Sequence, residues 1–304
     1  MALVTSKDML EHARDGHYAV GAFNANNLEM VQAIIEAAGE EEAPVIVQIS
    51  EGAIRYGGLD YLAAIVRAGA RLAKVPIVLH LDHGSGFETN VRCLQAGYTS
   101  LMFDGSAKPL EENIATTALI ARAAHPCGVP VEAELGQVLQ SRDGVTAQQV
   151  AGTMTDPGQA ADFVRRTGCD TLAIAVGSVH AMQEREAELD QDRIRACAAA
   201  VPVPLVLHGS SGVKHESIQQ AIENGIAKIN VGTYLATGFT EALRAEAAGH
   251  PKETDPRKVL GPARAEVKER VREKIRLFRS SGRAAEGWHD DARQFASAVF
   301  APVE

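Results

Sequence analysis

The sequence predicts an α/β fold: a (β/α)8 (TIM) barrel with additional C-terminal helices. Three observations carry this. Short apolar runs rich in Val and Ile alternate with segments of helical period, the pattern of repeated βα units around a parallel sheet. Eight such runs can be counted, the number that closes a barrel. The chain has 304 residues, which suits one large barrel, and it lacks the GxGxxG fingerprint that follows the first strand of an open, doubly wound sheet. Residues 1–285 are assigned to one barrel domain with its C-terminal helices, and residues 286–304 to a C-terminal extension.

The candidate strands, in order, are "YAVGAFNA" (18–25), "APVIVQIS" (43–50), "VPIVLHLDH" (75–83), "TSLMFDGS" (99–106), "VPVEAELG" (129–136), "DTLAIAVGSVH" (170–180), "PLVLHGSS" (204–211) and "IAKINVGT" (226–233). Each has a largely apolar centre of strand length, several of them rich in Val and Ile, and then turns polar. Between them lie helix-like stretches such as "NLEMVQAIIEAAGEE", "DPGQAADFVRRTG" and "KHESIQQAIENG". Several of these end in Gly, which takes the left-handed conformation of a helix C-terminus without strain.

Composition narrows the function classes. A hydrophobic fraction of 46% with 23% charged residues is that of a soluble globular protein, and no apolar run approaches the roughly 20 residues needed to span a bilayer. The N-terminus "MALVTSKDMLEHARDGHY" interrupts any signal-like segment with charges, and the four cysteines, Cys93, Cys127, Cys169 and Cys197, form no CxxC pair. A cytoplasmic location with reduced thiols is expected. The net charge of −9 argues against general nucleic-acid binding, so an anionic ligand must be held by a local site.

In a barrel of this kind, catalytic groups sit at the C-terminal ends of the strands and in the loops that follow. The polar residues fall there: Asn24, Gln48 with Ser50, Asp82 with His83, Asp104, Glu132 with Glu134, His180, His208, and Asn230 with Thr233. A histidine alone is usually structural. Three of them, His83, His180 and His208, at three strand ends and beside carboxylates, point to a divalent-metal site, because imidazole nitrogen is a preferred zinc ligand. His12, His17, His125, His215, His250 and His289 lie away from those ends and read as structural. The turns "HGSSG" (208–212) and "NVGT" (230–233) follow the last two strands, the common phosphate position, where backbone N–H groups and the Ser211 and Thr233 hydroxyls can meet an anion. A phosphorylated small molecule whose oxygens chelate the metal is the substrate class this implies.

These motifs, "HLDHG", "FDGS", "VEAELG", "AVGSVH", "PLVLHGSSG" and "KINVGT", resemble those of the class II, metal-dependent ketose-bisphosphate aldolases, the fructose- and tagatose-bisphosphate enzymes. The resemblance runs from about residue 3 to 285 and includes the ending "DPRKVLGPARAEVKERVREKIRLFRSSGRA". It implies a homodimer or homotetramer in which His83, His180 and His208 hold catalytic Zn2+ and Asp82 handles the proton on the aldehyde oxygen. It places Asp104 and Glu134 near an alternative metal position. Gly209, Ser211, Asn230 and Thr233 would hold substrate hydroxyls and phosphate, aided by a monovalent cation (Na+ or K+), and Asn24, Gln48, Ser50 and the backbone at Ala181 complete the substrate side.

The chemistry is coherent with this. Cleaving a ketose between C3 and C4 leaves charge on an enediolate, which a Lewis-acidic ion stabilises, so no Schiff-base lysine is required. Lys228, the one strand lysine, has no partner constellation legible in the sequence. Asp82 and His83 are adjacent, so a regular strand would aim them at opposite faces, and they serve one site only if the strand ends there. Three departures bear on the substrate. After "ELG" the family places a loop glutamate that moves the proton next to the carbonyl; here "QVLQSRDG" puts Arg142 at that position, and the base is then Asp143 after a one-residue shift, a water or another carboxylate. Ala181 stands where the family usually has Gly, and Gly232 and Tyr234 where acidic or small polar residues are common. The preferred reading is an aldolase for fructose 1,6-bisphosphate. The alternatives are tagatose 1,6-bisphosphate or another phosphorylated ketose, and a non-catalytic phosphosugar-binding protein; a barrel metallohydrolase would show an HxH pair on strand 1, which reads "AFNANN". The extension "EGWHDDARQFASAVFAPVE", with the single tryptophan Trp288, reads as an amphipathic segment or a frayed tail.

Overall fold

The computed structural model describes residues 3–140, 144, 146–180 and 187–285. Its strands are β1 (Val20–Asn24), β2 (Val45–Ser50), β3 (Ile77–Asp82), β4 (Leu101–Phe103), β5 (Val131–Leu135), β6 (Thr171–Ile174), β7 (Leu205–Leu207) and β8 (Ile226–Val231). Each lies inside the run expected for it. All paired neighbours are parallel, in the order β3-β2-β1-β8-β7-β6-β5-β4. The two ends of that order meet through backbone bonds from Thr99 N–H to Leu79 O (2.9 Å), Leu81 N–H to Ser100 O (3.1 Å) and Asp104 N–H to Gly84 O (2.9 Å), which bring the sheet round into a barrel.

The strands alternate two environments. Outward residues such as Phe23, Val47, Leu79, Leu81, Ala133 and Ile174 join the large core beneath the surrounding helices. Inward residues grade along the axis. On β3, Val78 belongs to a small apolar cluster at the N-terminal end, His80 follows above it, and Asp82 reaches the C-terminal mouth. The helix before the first strand, α1 (Lys7–Asp15), supplies Met9, Leu10 and Ala13 to that small cluster with Val20, Ala22, Ile46 and Ala227, and so plugs the barrel floor. The polar mouth is left to the other end.

The outer layer is made by α2 (Leu28–Glu40), α3 (Glu51–Gly57), α4 (Leu59–Leu72), α5 (Phe87–Gln95), α6 (Leu110–Ala124), α7 (Ala147–Gly152), α8 (Pro157–Thr167), α9 (Gln191–Ala200) and α10 (His215–Glu223). Local sequence starts and stops them. In α8, the Asp156 side chain accepts from Gln159 N–H, Pro157 opens the first turn, and Gly168 at φ +67° closes the last by donating to Val164 O. The long α11 (Thr233–Gly249) and α12 (Pro256–Leu277) pack on each other, and α12 also lies on α2, tied by Arg272 and Arg276 to the Glu41 carboxylate. Among the described residues no helix is long and apolar enough to cross a membrane.

β8 contains one irregularity with consequences for the interior. Leu205 pairs with Ile226 but Val206 pairs with Lys228, so Ala227 is an extra residue in β8. Such a bulge shifts the alternation by one. Ala227 and Lys228 both face inward as a result, Ile229 faces the outer core, and Asn230 is delivered to the mouth.

Candidate active site and metal centre

At the C-terminal mouth a cavity of about 510 Å3 is lined by Asn24, Asp82, His83, Asp104, His180, Gly209, Ser211, Asn230 and Thr233, all expected from the sequence, together with Ser106, Gln137–Gln140, Ser210 and Gly232. The adjacency of Asp82 and His83 resolves at β3's end. Asp82 is its last residue and points inward, and His83 turns to φ +48°, the left-handed region, so both side chains enter the same cavity. His208 directly follows β7. His180 requires a correction: the run 170–180 is not strand throughout, because β6 ends at Ile174 and the chain then turns through Gly177 at φ +104°. His180 is held by its own backbone N–H, which donates to Leu139 O at 2.8 Å.

The three imidazoles converge, with ring centroids 5.3 Å apart for His83 and His180, 4.8 Å for His83 and His208, and 6.1 Å for His180 and His208. One nitrogen from each lies within 4.8 Å of the others, and His83, Asp104 and Glu134 form a second such group. Neighbouring carboxylates orient the rings. His83 Nδ1 is 2.8 Å from Asp104 Oδ2, and His208 Nε2 is 3.0 Å from Glu132 Oε1. An imidazole that donates one N–H to a carboxylate turns its other nitrogen toward a metal. The buried His208 Nδ1 meets this description: it lies 3.0 Å from Glu134 Oε2 but out of line, and neither atom has a hydrogen-bond partner. Two buried, unpartnered lone-pair atoms beside two further imidazoles fit a divalent cation.

Charge in the site follows from the same neighbours. Burial disfavours the His83 imidazolium, but the carboxylates of Asp82, Asp104 and Glu134 outweigh it and raise its pKa to about 10. Burial, reinforced by repulsion from His83 and His208, lowers His180 to about 3. Burial also opposes ionisation of Asp82, yet the adjacent His83 and His208, Lys228 and the Asn24 amide hold it below the usual carboxylate range. Its oxygens accept from Asn24 Nδ2 at 2.7 Å and Asn230 Nδ2 at 3.2 Å.

Beside the imidazoles, Gly209 (φ +66°), Ser211, Gly232 and Thr233 also line the cavity. Thr233 opens α11, whose N-terminus has no side-chain cap, so the positive end of the helix dipole borders the cavity and favours an anion. Gly209 is required twice over. A Cβ there would lie 2.9 Å from Val179 C, in the segment that carries His180, and the left-handed backbone disfavours any side chain. Gly209→Ala is therefore expected to lower unfolding free energy by about 2–4 kcal/mol, measured by denaturant titration, and to loosen metal binding with it.

Two expected residues are placed elsewhere. Gln48 is fully buried and does not line the cavity; its Nε2 donates to Asn24 Oδ1 at 2.7 Å, so it holds Asn24, which in turn holds Asp82. Ser50 is the N-cap of α3, accepting from Ala53 N–H at 3.3 Å, and is also outside the cavity lining. Arg142, Asp143 and Ala181 lie outside the described residues. Sequence reasoning missed His80, placed Glu132 at a strand end without giving it a role, and left Lys228 without partners. Lys228 does have partners: its Nζ is 2.8 Å from Glu132 Oε2 and 3.4 Å from His80 Nε2. Burial, with Lys228 next to it, lowers His80 to about 3, so that ring is neutral.

The model of one family, fructose-bisphosphate aldolase class-II, matches residues 4–283. The chain belongs to the class II fructose-bisphosphate aldolase family. A probable fructose-bisphosphate aldolase of Bacillus subtilis is 46% identical over 287 residues, covering 93% of this chain and 100% of that protein. A fructose-bisphosphate aldolase of Geobacillus stearothermophilus is 45% identical over 289 residues, covering 94% and 100%. The crystal structure of the YdjI aldolase from Escherichia coli K12 superposes with a TM-score of 0.82 at 37% identity, covering 93% of this chain and 99% of that one. Class II aldolases are metal-dependent aldehyde-lyases acting on phosphorylated sugars, and this chain is an enzyme of that class.

Proposed function

We propose that this class II aldolase reversibly cleaves fructose 1,6-bisphosphate to dihydroxyacetone phosphate and glyceraldehyde 3-phosphate, using Zn2+ held by His83, His180 and His208. The observation that carries this is one cavity whose lining includes His83 and His180 of the imidazole cluster together with the small-residue turns at Gly209, Ser211, Gly232 and Thr233, suited to phosphate. When bound, the ion supplies Lewis-acid stabilisation of the negative charge that bond cleavage leaves on the ketose half. Asp82, ionised and fixed by Asn24 and Asn230, accepts the proton of the C4 hydroxyl as the C3–C4 bond breaks and returns it in the synthetic direction. Gly209, Ser211, Asn230 and Thr233 hold substrate hydroxyls and phosphate with a monovalent cation, Na+ or K+. Asp104 and Glu134 form the alternative metal position with His83. Asp143 is the proposed base next to the carbonyl, and the backbone at Ala181 completes the phosphate side; both lie outside the described residues. Gln48 contributes through Asn24. Residues 1–285 act as one domain, in a cytoplasmic homodimer or homotetramer.

The test is release of dihydroxyacetone phosphate from fructose 1,6-bisphosphate by zinc-loaded enzyme, with the C4 epimer tagatose 1,6-bisphosphate assayed in parallel. The fructose substrate is expected to give the higher kcat/KM. Asp143→Ala should lower kcat by about 100- to 10,000-fold, the range for loss of a general base. Preference for the epimer would transfer the substrate assignment to tagatose, and no turnover of either by metal-loaded protein would refute both.

A further inference from the structure

Beneath the proposed metal centre, Glu132, which orients the His208 ring, belongs to a longer run of buried polar groups whose other members have no role so far. Lys228 and Glu132 are 1% and 2% exposed, and His80 is fully buried. Lys228 Nζ lies 2.8 Å from Glu132 Oε2 and 3.0 Å from Oε1, and 3.4 Å from His80 Nε2. An ammonium has three donors, and here one carboxylate and one imidazole face them. His80 Nδ1 is 2.8 Å from Ser100 Oγ, which is 2.8 Å from Ser6 Oγ beside the start of α1. Upward, Glu132 Oε1 meets His208 Nε2 at 3.0 Å. The hydrogen-bonded run thus extends from the barrel floor to a metal ligand.

Burial of such a pair needs a reason, because well-packed apolar residues of similar volume commonly stabilise a core as well or better. β8 is also irregular here: the extra residue Ala227 shifts the alternation after Ile226, so that Lys228, and Asn230 two residues on, both take the inner face. The geometry points to what the pair does. With both its oxygens gripped by Lys228, Glu132 is held as an acceptor in one place. The His208 ring must then present its N–H at Nε2, which leaves the Nδ1 lone pair for the cavity.

We infer that Lys228 is a positioning residue for the metal centre, fixing through Glu132 the tautomer and orientation of His208. This rests on the proposed metal site at His83, His180 and His208.

The experiment measures Zn2+ affinity by chelator competition and the visible absorption of Co2+-loaded enzyme, for the wild type, Lys228→Met, Glu132→Gln, the double variant and His208→Ala. Lys228→Met is expected to weaken Zn2+ binding by about 10- to 100-fold, the usual effect of losing an outer partner of a ligand, and to shift the Co2+ spectrum. In the Glu132→Gln background the same substitution should add little further loss, since its effect runs through Glu132. If the Met variant does not fold, Lys228→Gln, which keeps a donor, serves in its place with an expected loss of about 10-fold. Wild-type affinity and an unchanged spectrum in the folded Lys228 variant would overturn the inference, and so would an equal loss in both backgrounds. Undiminished Zn2+ binding by His208→Ala would instead show that the metal site itself is misplaced.

Discussion

His208→Ala is expected to strip the enzyme of tightly bound metal and to lower kcat/KM by at least about 1,000-fold, since a Lewis-acidic ion contributes several kcal/mol to the barrier. The geometry makes His208 the most sensitive of the three proposed ligands. It is fully buried, its Nε2 is anchored on Glu132, and its Nδ1 is one of the unpartnered atoms facing the site. Its removal leaves Glu132 Oε1 without that partner and Glu134 Oε2 facing a void. Metal content and steady-state rates on the same preparations check this. A chelator should reproduce the loss in the wild type, and added Zn2+ should reverse it there but not in the variant. Full activity in chelated, metal-free wild-type enzyme would sink the assignment.

Asp82→Asn should behave differently. Metal content and KM are expected to stay near the wild-type values while kcat falls by about 100- to 10,000-fold, because the lost function is proton transfer and not binding. The carboxylate now accepts from two amides, Asn24 Nδ2 and Asn230 Nδ2. An asparagine has one oxygen to offer, so one of these contacts must rotate or break. Asp82→Ala, which removes the acceptor altogether, separates the two effects: if both variants lose the same kcat, proton transfer is the whole of the role. A large rise in KM for Asp82→Asn with kcat unchanged would instead make Asp82 a binding group.

Which parts of this molecule could be read from the sequence follows from physical range. Strand centres such as "VIVQI" and "IVLHL" carry their signal locally, because burial on both sides demands continuous apolar, β-branched runs, and all eight strands fall inside the expected stretches. The catalytic mouth was legible for the same reason: the position where an apolar run turns polar is a strand end. What failed was non-local. Ser50 looks like a site residue until its Oγ is seen capping the next helix, and Gln48 until its amide is seen holding Asn24. The end of β6 was misplaced because "AIAVGSV" remains apolar past the last ladder bond. Lys228 could not be paired because its partners, Glu132 and His80, come from other strands, 96 and 148 residues away in the chain.

The left-handed turn at His83 sets a limit on how this enzyme can be improved. Glycine or asparagine would relax the backbone at φ +48° more readily than an imidazole-bearing residue does, and either would remove a proposed ligand. Selection for heat resistance alone would favour that exchange, whereas selection for turnover forbids it. Any search for a hardier variant should therefore hold position 83 fixed and look for its gains among the helices of the outer layer, where added stability and activity do not compete for the same side chain.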